Sequence, residues 1–141
     1  MRSLLVVVSL LAVPLLGQEA LTPQQHLEAL RESIKGRENE PATAVFKNVQ
    51  TLKRVTAGGL LNIMQGGFSR SLGVTCEHCH VAGVWEDDSK EAKRITREMS
   101  VMVRRINTEL LPAIEGMKEE KPIVNCTTCH RGQIKPATDM P

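Results

Sequence analysis

The alternation of apolar and polar residues predicts a chain of helices joined by long loops. Thr22 to Lys35 suits a short amphipathic helix, with Thr22 as N-cap, Pro23 in its first turn and Gly36 ending it. Arg37 to Pro41 is polar and reads as a loop. Ala44 to Leu52 is short and partly β-branched, which predicts an extended segment. A second helix starts at Thr56 and runs to about Leu72, where Gly73 breaks it. Asp87, Asp88 or Ser89 caps a longer helix that continues to about Leu110, and Pro112 bends or ends it. Lys118 to Lys121 is a solvated charge run. The fold class this predicts is all-α. A chain of 141 residues has room for one small domain, and no shift in composition marks a second.

The N-terminus follows a different rule. After Met1-Arg2-Ser3, with its single positive charge, Leu4 to Leu16 is almost wholly apolar and is broken by Pro14. The run is too short to span a bilayer comfortably, which takes about 20 residues. A charged start and an apolar middle predict a signal peptide over residues 1–17, cleaved between 17 and 20 after Gly17 or Ala20. Residues 21–141 then form the exported, periplasmic domain. The alternative is a leader retained as an uncleaved membrane anchor.

Composition changes the picture in two ways. The chain holds two Phe, one Trp and no Tyr, so the aromatic side chains that fill many small cores are nearly missing. A domain of this size buries only marginally enough apolar surface by itself, and a large flat cofactor would fill the gap. The formal charge of +2 is near balance, and no basic stripe interleaved with aromatics is present, so nothing argues for nucleic acid.

The four cysteines decide the chemistry. All fall into two copies of one pattern, Cys76-Glu77-His78-Cys79-His80 and Cys126-Thr127-Thr128-Cys129-His130. C-x-x-C-H is the attachment signature of c-type haem. Two thiols three positions apart each add to a vinyl group on one haem edge, and the turn they form sets the next histidine beneath the iron. The pattern therefore predicts two covalently bound haem c groups, with His80 and His130 as proximal iron ligands. A four-cysteine zinc site, redox-active C-x-x-C pairs or plain disulfides would use the same cysteines but leave both histidines unexplained.

Each iron then needs a sixth ligand or an open face. His78 sits inside the first attachment loop, where it cannot easily reach the distal face of its own haem, and His26 reads as a surface residue. The methionines Met64, Met99, Met102, Met117 and Met140 remain. Met64 lies in the helix that precedes the first site, with the small Gly67 and Ser71 three and seven positions on, against which a flat ring could lie. Met99 and Met102 lie one turn apart in the helix before the second site, and both compete for the second iron.

These residues carry a resemblance. Val49-Gln50-x-Leu52-Lys53, Leu72-Gly73-Val74-x-Cys76-x-x-Cys79-His80, Arg97-x-Met99-x-x-Met102-x-Arg104-x-Ile106-Asn107 and Cys126-x-x-Cys129-His130-Arg131-Gly132 resemble the cytochrome subunit of photosynthetic reaction centres, from about Asn48 to Pro136. The resemblance implies helix–turn–haem units in which a helical methionine completes most irons. It assigns Met64 to the haem of His80 and Met99 to the haem of His130, with Met102 as the alternative to Met99. That family carries two paired units and four haems, whereas this chain has one pair. It also carries a histidine shortly beyond the Ile-Asn step, where this chain reads Pro112-Ala113-Ile114. Both differences fit a stand-alone two-haem protein.

Two methionine-ligated irons leave no vacant position for substrate, which predicts an electron carrier rather than an enzyme. One electron would enter at an exposed edge from a redox donor protein and leave to an acceptor. Arg94, Arg97, Arg104, Arg105 and Arg131 are candidates to neutralise propionates, and Trp85 to cover a haem edge or pack in the core. The alternatives are a haem enzyme or gas sensor with one open iron, and a subunit that docks to a membrane oxidoreductase.

Overall fold

The computed structural model describes residues 21–117 and 121–139, and among them every regular element is helical. The leader expected over residues 1–17, its cleavage point, Met140 and most of the Lys118 to Lys121 run lie outside the described residues.

The first helix, α1 (Pro23–Ser33), starts where its residues require. The Thr22 hydroxyl accepts from the Gln25 N–H, the Gln25 side chain accepts from the Thr22 N–H at 2.8 Å, and Pro23 occupies the first turn. The segment expected to be extended opens instead with one helical turn, α2 (Ala42–Val45), closed by the Phe46 N–H on the Ala42 carbonyl at 2.8 Å. Extended backbone pairs here only as an isolated bridge between Pro41 and Thr56. Without a partner strand a β-branched segment cannot satisfy its backbone groups, and a local turn can.

Next comes α3 (Ala57–Asn62), capped by the Thr56 hydroxyl, which accepts from the Gly59 N–H at 3.1 Å. The rod widens into a π-helical stretch, Ile63–Ser69, and closes with one α-turn, α4 (Arg70–Leu72). Gly73 ends it in the left-handed region at φ 67°. A Cβ there would also collide with the carbonyl oxygen of Gly132, so two independent constraints demand glycine.

The long helix α5 (Glu91–Arg105) has Lys90 as N-cap, with no side-chain cap bond. None of the three expected caps serves it. Asp87 accepts from the Ser89 N–H in a local turn, and Asp88 is drawn into ion pairs with Lys93 and Arg97. The helix also passes into a π-helical stretch, Ile106–Leu110, and ends in α6 (Leu111–Ala113), which contains Pro112. Last is α7 (Cys126–His130), held by a capping box between Asn125 and Thr128.

The core is small. Ile34, Ala57 and Leu61 are buried together, with Leu27, Leu30, Val45 and Phe46 packed against them. Several of these residues, Leu27, Leu30, Val45, Phe46 and Leu61 among them, also form the wall of a large cavity. The little core this chain builds is thus the side of a binding site.

Candidate haem site

That cavity measures about 710 Å³, within the range of about 300–1,000 Å³ that cofactor pockets occupy. Met64 reaches it from the π-helical stretch, and Cys76, Cys79 and His80 reach it from the turn that follows Gly73. The remaining wall is largely apolar, with Leu30, Phe46, Leu60, Phe68 and Leu72 among its residues. Two thiols, an imidazole and a thioether on one apolar cavity are the donor set that a covalently attached haem requires. The residues present fit the group.

His80 is set up as a ligand by its neighbours. Its Nδ1 lies 2.9 Å from the Trp85 carbonyl oxygen, which can only accept, so Nδ1 carries the proton and Nε2 keeps a free lone pair. The Trp85 ring stands edge-on to His80 with centroids 5.8 Å apart. Burial pushes the imidazole pKa down, the hydrogen bond to the Trp85 carbonyl opposes this, and the charges of Lys93 and Arg97 lower it further. The ring is therefore held neutral, as ligation demands. Burial likewise pushes the Cys76 and Cys126 thiols up, the reverse of the lowered values that make C-x-x-C pairs redox-active. Among the described residues no three of His, Cys, Asp and Glu converge, so the two pairs do not meet as a four-thiolate centre.

The turn after His80 is clamped to α5. Asp88 receives both Lys93 Nζ and Arg97 Nη2 at 3.0 Å, and Arg97 also reaches the Asn48 carbonyl at 3.3 Å. These donors hold the Asp88 carboxyl well below the usual carboxylate range, Arg97 first, then Asn48 and Lys93. Of the arginines expected near propionates, only Arg97 lines the cavity, and it is already paired. Arg94 pairs with Glu91 and Glu98, and Arg105 with Glu109, as solvated helix charges. Arg70 and Lys47 line the cavity and were missed, because nothing in their sequence neighbourhood separates them from ordinary surface cations.

The second attachment turn is built alike and enclosed less. His130 Nδ1 faces the Gln133 carbonyl at 3.0 Å, again leaving Nε2 free. Asn107, just beyond α5, grips Val124 from both sides: its amide donates to the Val124 carbonyl and its oxygen accepts the Val124 N–H, each at 2.8 Å. This clamp ties the helix bearing Met99 to the residues before Cys126. Met99 is half-buried, whereas Met102 is 43 % exposed. The cavity of the first site does not extend to Cys126, Cys129, His130 or either methionine, and Cys129 is exposed. The attachment turn also docks on the first site's rod. The Ser71 and Thr127 hydroxyls lie 2.6 Å apart, and the Gly132 N–H donates to the Ser71 carbonyl at 2.8 Å.

Comparison with known proteins decides the family. The profile described as photosynthetic reaction centre cytochrome C subunit matches residues 16–139. The chain belongs to this family. It is 32 % identical over 96 residues to the photosynthetic reaction center cytochrome c subunit of Thermochromatium tepidum, covering 67 % of this chain and 22 % of that protein. Cytochrome c-554 of Chloroflexus aurantiacus is 31 % identical over 83 residues, covering 59 % and 20 %. The reaction center cytochrome c subunit of Rubrivivax gelatinosus is 30 % identical over 97 residues, covering 67 % and 25 %. The chain thus spans a fifth to a quarter of the length of these relatives. Membership in this reaction-centre cytochrome family makes the chain a c-type cytochrome, with haem c and electron transport as its chemistry.

Within that family frame, two sequence readings need correction. Gly67 and Ser71 do not line the cavity; the π-helical stretch shifts the facing stripe to Met64, Phe68 and Leu72. Ser71, 2 % exposed, meets α7 instead. His26 is not a free surface residue: its Nε2 lies 3.1 Å from Glu77 and its ring stands edge-on to Trp85. Trp85 braces His80 from both its ring and its carbonyl.

Proposed function

We propose that this chain is an exported dihaem c-type cytochrome that carries single electrons between a redox donor and a redox acceptor and catalyses no reaction of its own. The observation that carries this reading is the convergence of Met64, Cys76, Cys79 and His80 on one apolar cavity, with His80 held as a neutral ligand. Haem c bound at each C-x-x-C-H supplies a one-electron iron couple. Cys76 and Cys79 tether one group and Cys126 and Cys129 the other. His80 and His130 ligate from one side through Nε2. Met64 and Met99 complete the two irons, and their soft thioethers favour the ferrous state. The half-buried Met99 is preferred over the more exposed Met102.

The largely apolar wall of the first cavity suits a haem face, and α5 runs from that cavity to the clamp on Val124 before the second site. Lys93, Thr96, Arg97 and Ser100 of α5 line the first cavity, while Met99 occupies another face of the same helix. The contacts of Ser71 with Thr127 and Gly132 hold the second attachment turn against the rod that carries Met64, which supports passage of an electron from one site to the other. The chain is assigned to the periplasm, as a dihaem domain at residues 21–141 behind a signal peptide at 1–17. Its partners are redox proteins, one of them within a membrane complex, by analogy with relatives named as reaction-centre subunits.

Visible spectra of the exported, matured protein test this reading, with haem counted per chain by mass. The expected result is two low-spin haems, a far-red sulfur-to-iron band and no response of the ferrous form to carbon monoxide. A high-spin haem that binds carbon monoxide would replace the carrier with a haem enzyme or gas sensor.

A further inference from the structure

One buried charge has no part in attachment or ligation. Lys93, on α5, is 8 % exposed, and all three of its ammonium protons are committed. Its Nζ donates to the Trp85 carbonyl at 3.0 Å and to the Asp87 carbonyl at 2.6 Å, and pairs with Asp88 at 3.0 Å. The Trp85 carbonyl is the same oxygen that accepts from His80 Nδ1 at 2.9 Å. One oxygen therefore serves a buried cation and the candidate proximal ligand together.

We propose that Lys93 is a positioning residue that raises the reduction potential of the first haem by sharing the Trp85 carbonyl with His80. The inference rests on His80 being an iron ligand. A carbonyl polarised by an ammonium has less electron density to offer a second donor. His80 Nδ1 thus keeps its proton more firmly, the ring has less imidazolate character, and Nε2 donates less to the iron. A weaker donor destabilises the ferric state. The buried positive charge acts in the same direction, since low-dielectric surroundings screen it little. Asp88 limits the effect from the far side, at a more exposed position.

Removing Lys93 should shift the first haem's oxidised-to-reduced ratio toward the oxidised form by about tenfold at fixed potential. That is about 59 mV downward for one electron. The experiment is spectroelectrochemical titration of the matured chain and of Lys93→Met, Lys93→Arg and Asp88→Asn, with the first haem assigned through the shift that Met64→His gives. Lys93→Met should lower that midpoint and leave the second haem's unchanged. Lys93→Arg should restore most of it, and Asp88→Asn should raise it slightly. The ¹⁵N–H signal of His80 Nδ1 in the ferrous protein should move with Lys93→Met. An unmoved midpoint in fully loaded variants, or shifts of the same sign in Lys93→Met and Asp88→Asn, would overturn the role of Lys93. Mass analysis separates this from the parent reading, because a wild-type chain lacking haem at Cys76 and Cys79 would overturn the dihaem assignment itself.

Discussion

His80 and His130 stand in the same relation to the backbone: each gives its Nδ1 proton to a carbonyl three to five residues later and keeps Nε2 for the metal. This fixes which residues should matter spectroscopically. Met64→Ala should retain both haems through their thioethers, abolish one sulfur-to-iron band and open one iron to carbon monoxide, at a stability loss of about 2 kcal/mol. Met99→Ala should do the same at the second haem and Met102→Ala at neither; carbon monoxide binding by the Met102 variant alone would move the second ligand there. Asp88 sets a pH dependence. Its folded-state pKa is depressed, chiefly by Arg97, so its contribution to stability is fully present above its unfolded value near about 3.9 and is lost as pH falls through the folded value. Asp88→Asn should flatten the acid limb of an unfolding curve below about pH 4 and change its slope little near neutrality. At this scale the ligand types were legible because C-x-x-C-H is a strict chemical pattern. The carbonyls of Trp85 and Gln133 were not, because every residue has one and only the fold selects which is used.

At the scale of elements, α1 and the rod from α3 to α4 were legible from the caps and the breaker that bound them, whereas the caps expected for α5 were not used and the capping box of α7 was not read. Thr22, Thr56 and Gly73 stand where their residue types put them. The two π-helical stretches, Ile63–Ser69 and Ile106–Leu110, left no trace in a pattern read at helical spacing. Such stretches gather at functional sites, and the first carries Met64. Their cost to the sequence reading was the misplaced stripe of Gly67 and Ser71. The junctions between elements yield two tests. Gly73→Ala must place a side chain at φ 67° and against Gly132. The conformation alone costs about 1–2 kcal/mol, so thermal unfolding should show a loss above that, and the second attachment turn should shift with it. Asn107→Ala removes two hydrogen bonds to Val124, each contributing about 0.5–1.5 kcal/mol. Circular dichroism melts should show about 1–3 kcal/mol lost, and the second haem should gain a high-spin fraction as Met99 drifts from it. An intact low-spin spectrum would mean that Met99 does not depend on this clamp.

For the molecule as a whole, the scarcity of aromatics is answered by where the apolar residues go. Among the described residues the buried hydrophobic ones are Ile34, Ala42, Ala57, Leu60 and Leu61, all in or beside α1, α2 and α3, and Leu60 and Leu61 join Leu27, Leu30, Phe46 and Phe68 in the cavity wall. A core whose inner wall lines a space of about 710 Å³ is incomplete as protein alone. Voids forfeit the dispersion contacts of every atom that lines them. The two proposed haems should therefore contribute unequally to folding. The proposed first haem would fill a space on which α1, α3, the π-helical stretch and α5 all converge, whereas the second attachment turn leaves Cys129 exposed. Exported Cys76→Ala/Cys79→Ala, loaded only at the second site, should lose helical ellipticity and cooperative melting. Cys126→Ala/Cys129→Ala, loaded only at the first, should keep a cooperative transition shifted down by a smaller amount. Urea titrations of both would read the difference as surface already exposed before unfolding, with a lower slope for the first variant. Equal losses would place the weight of folding on both sites alike, and the filled first cavity would no longer be what holds the helices together.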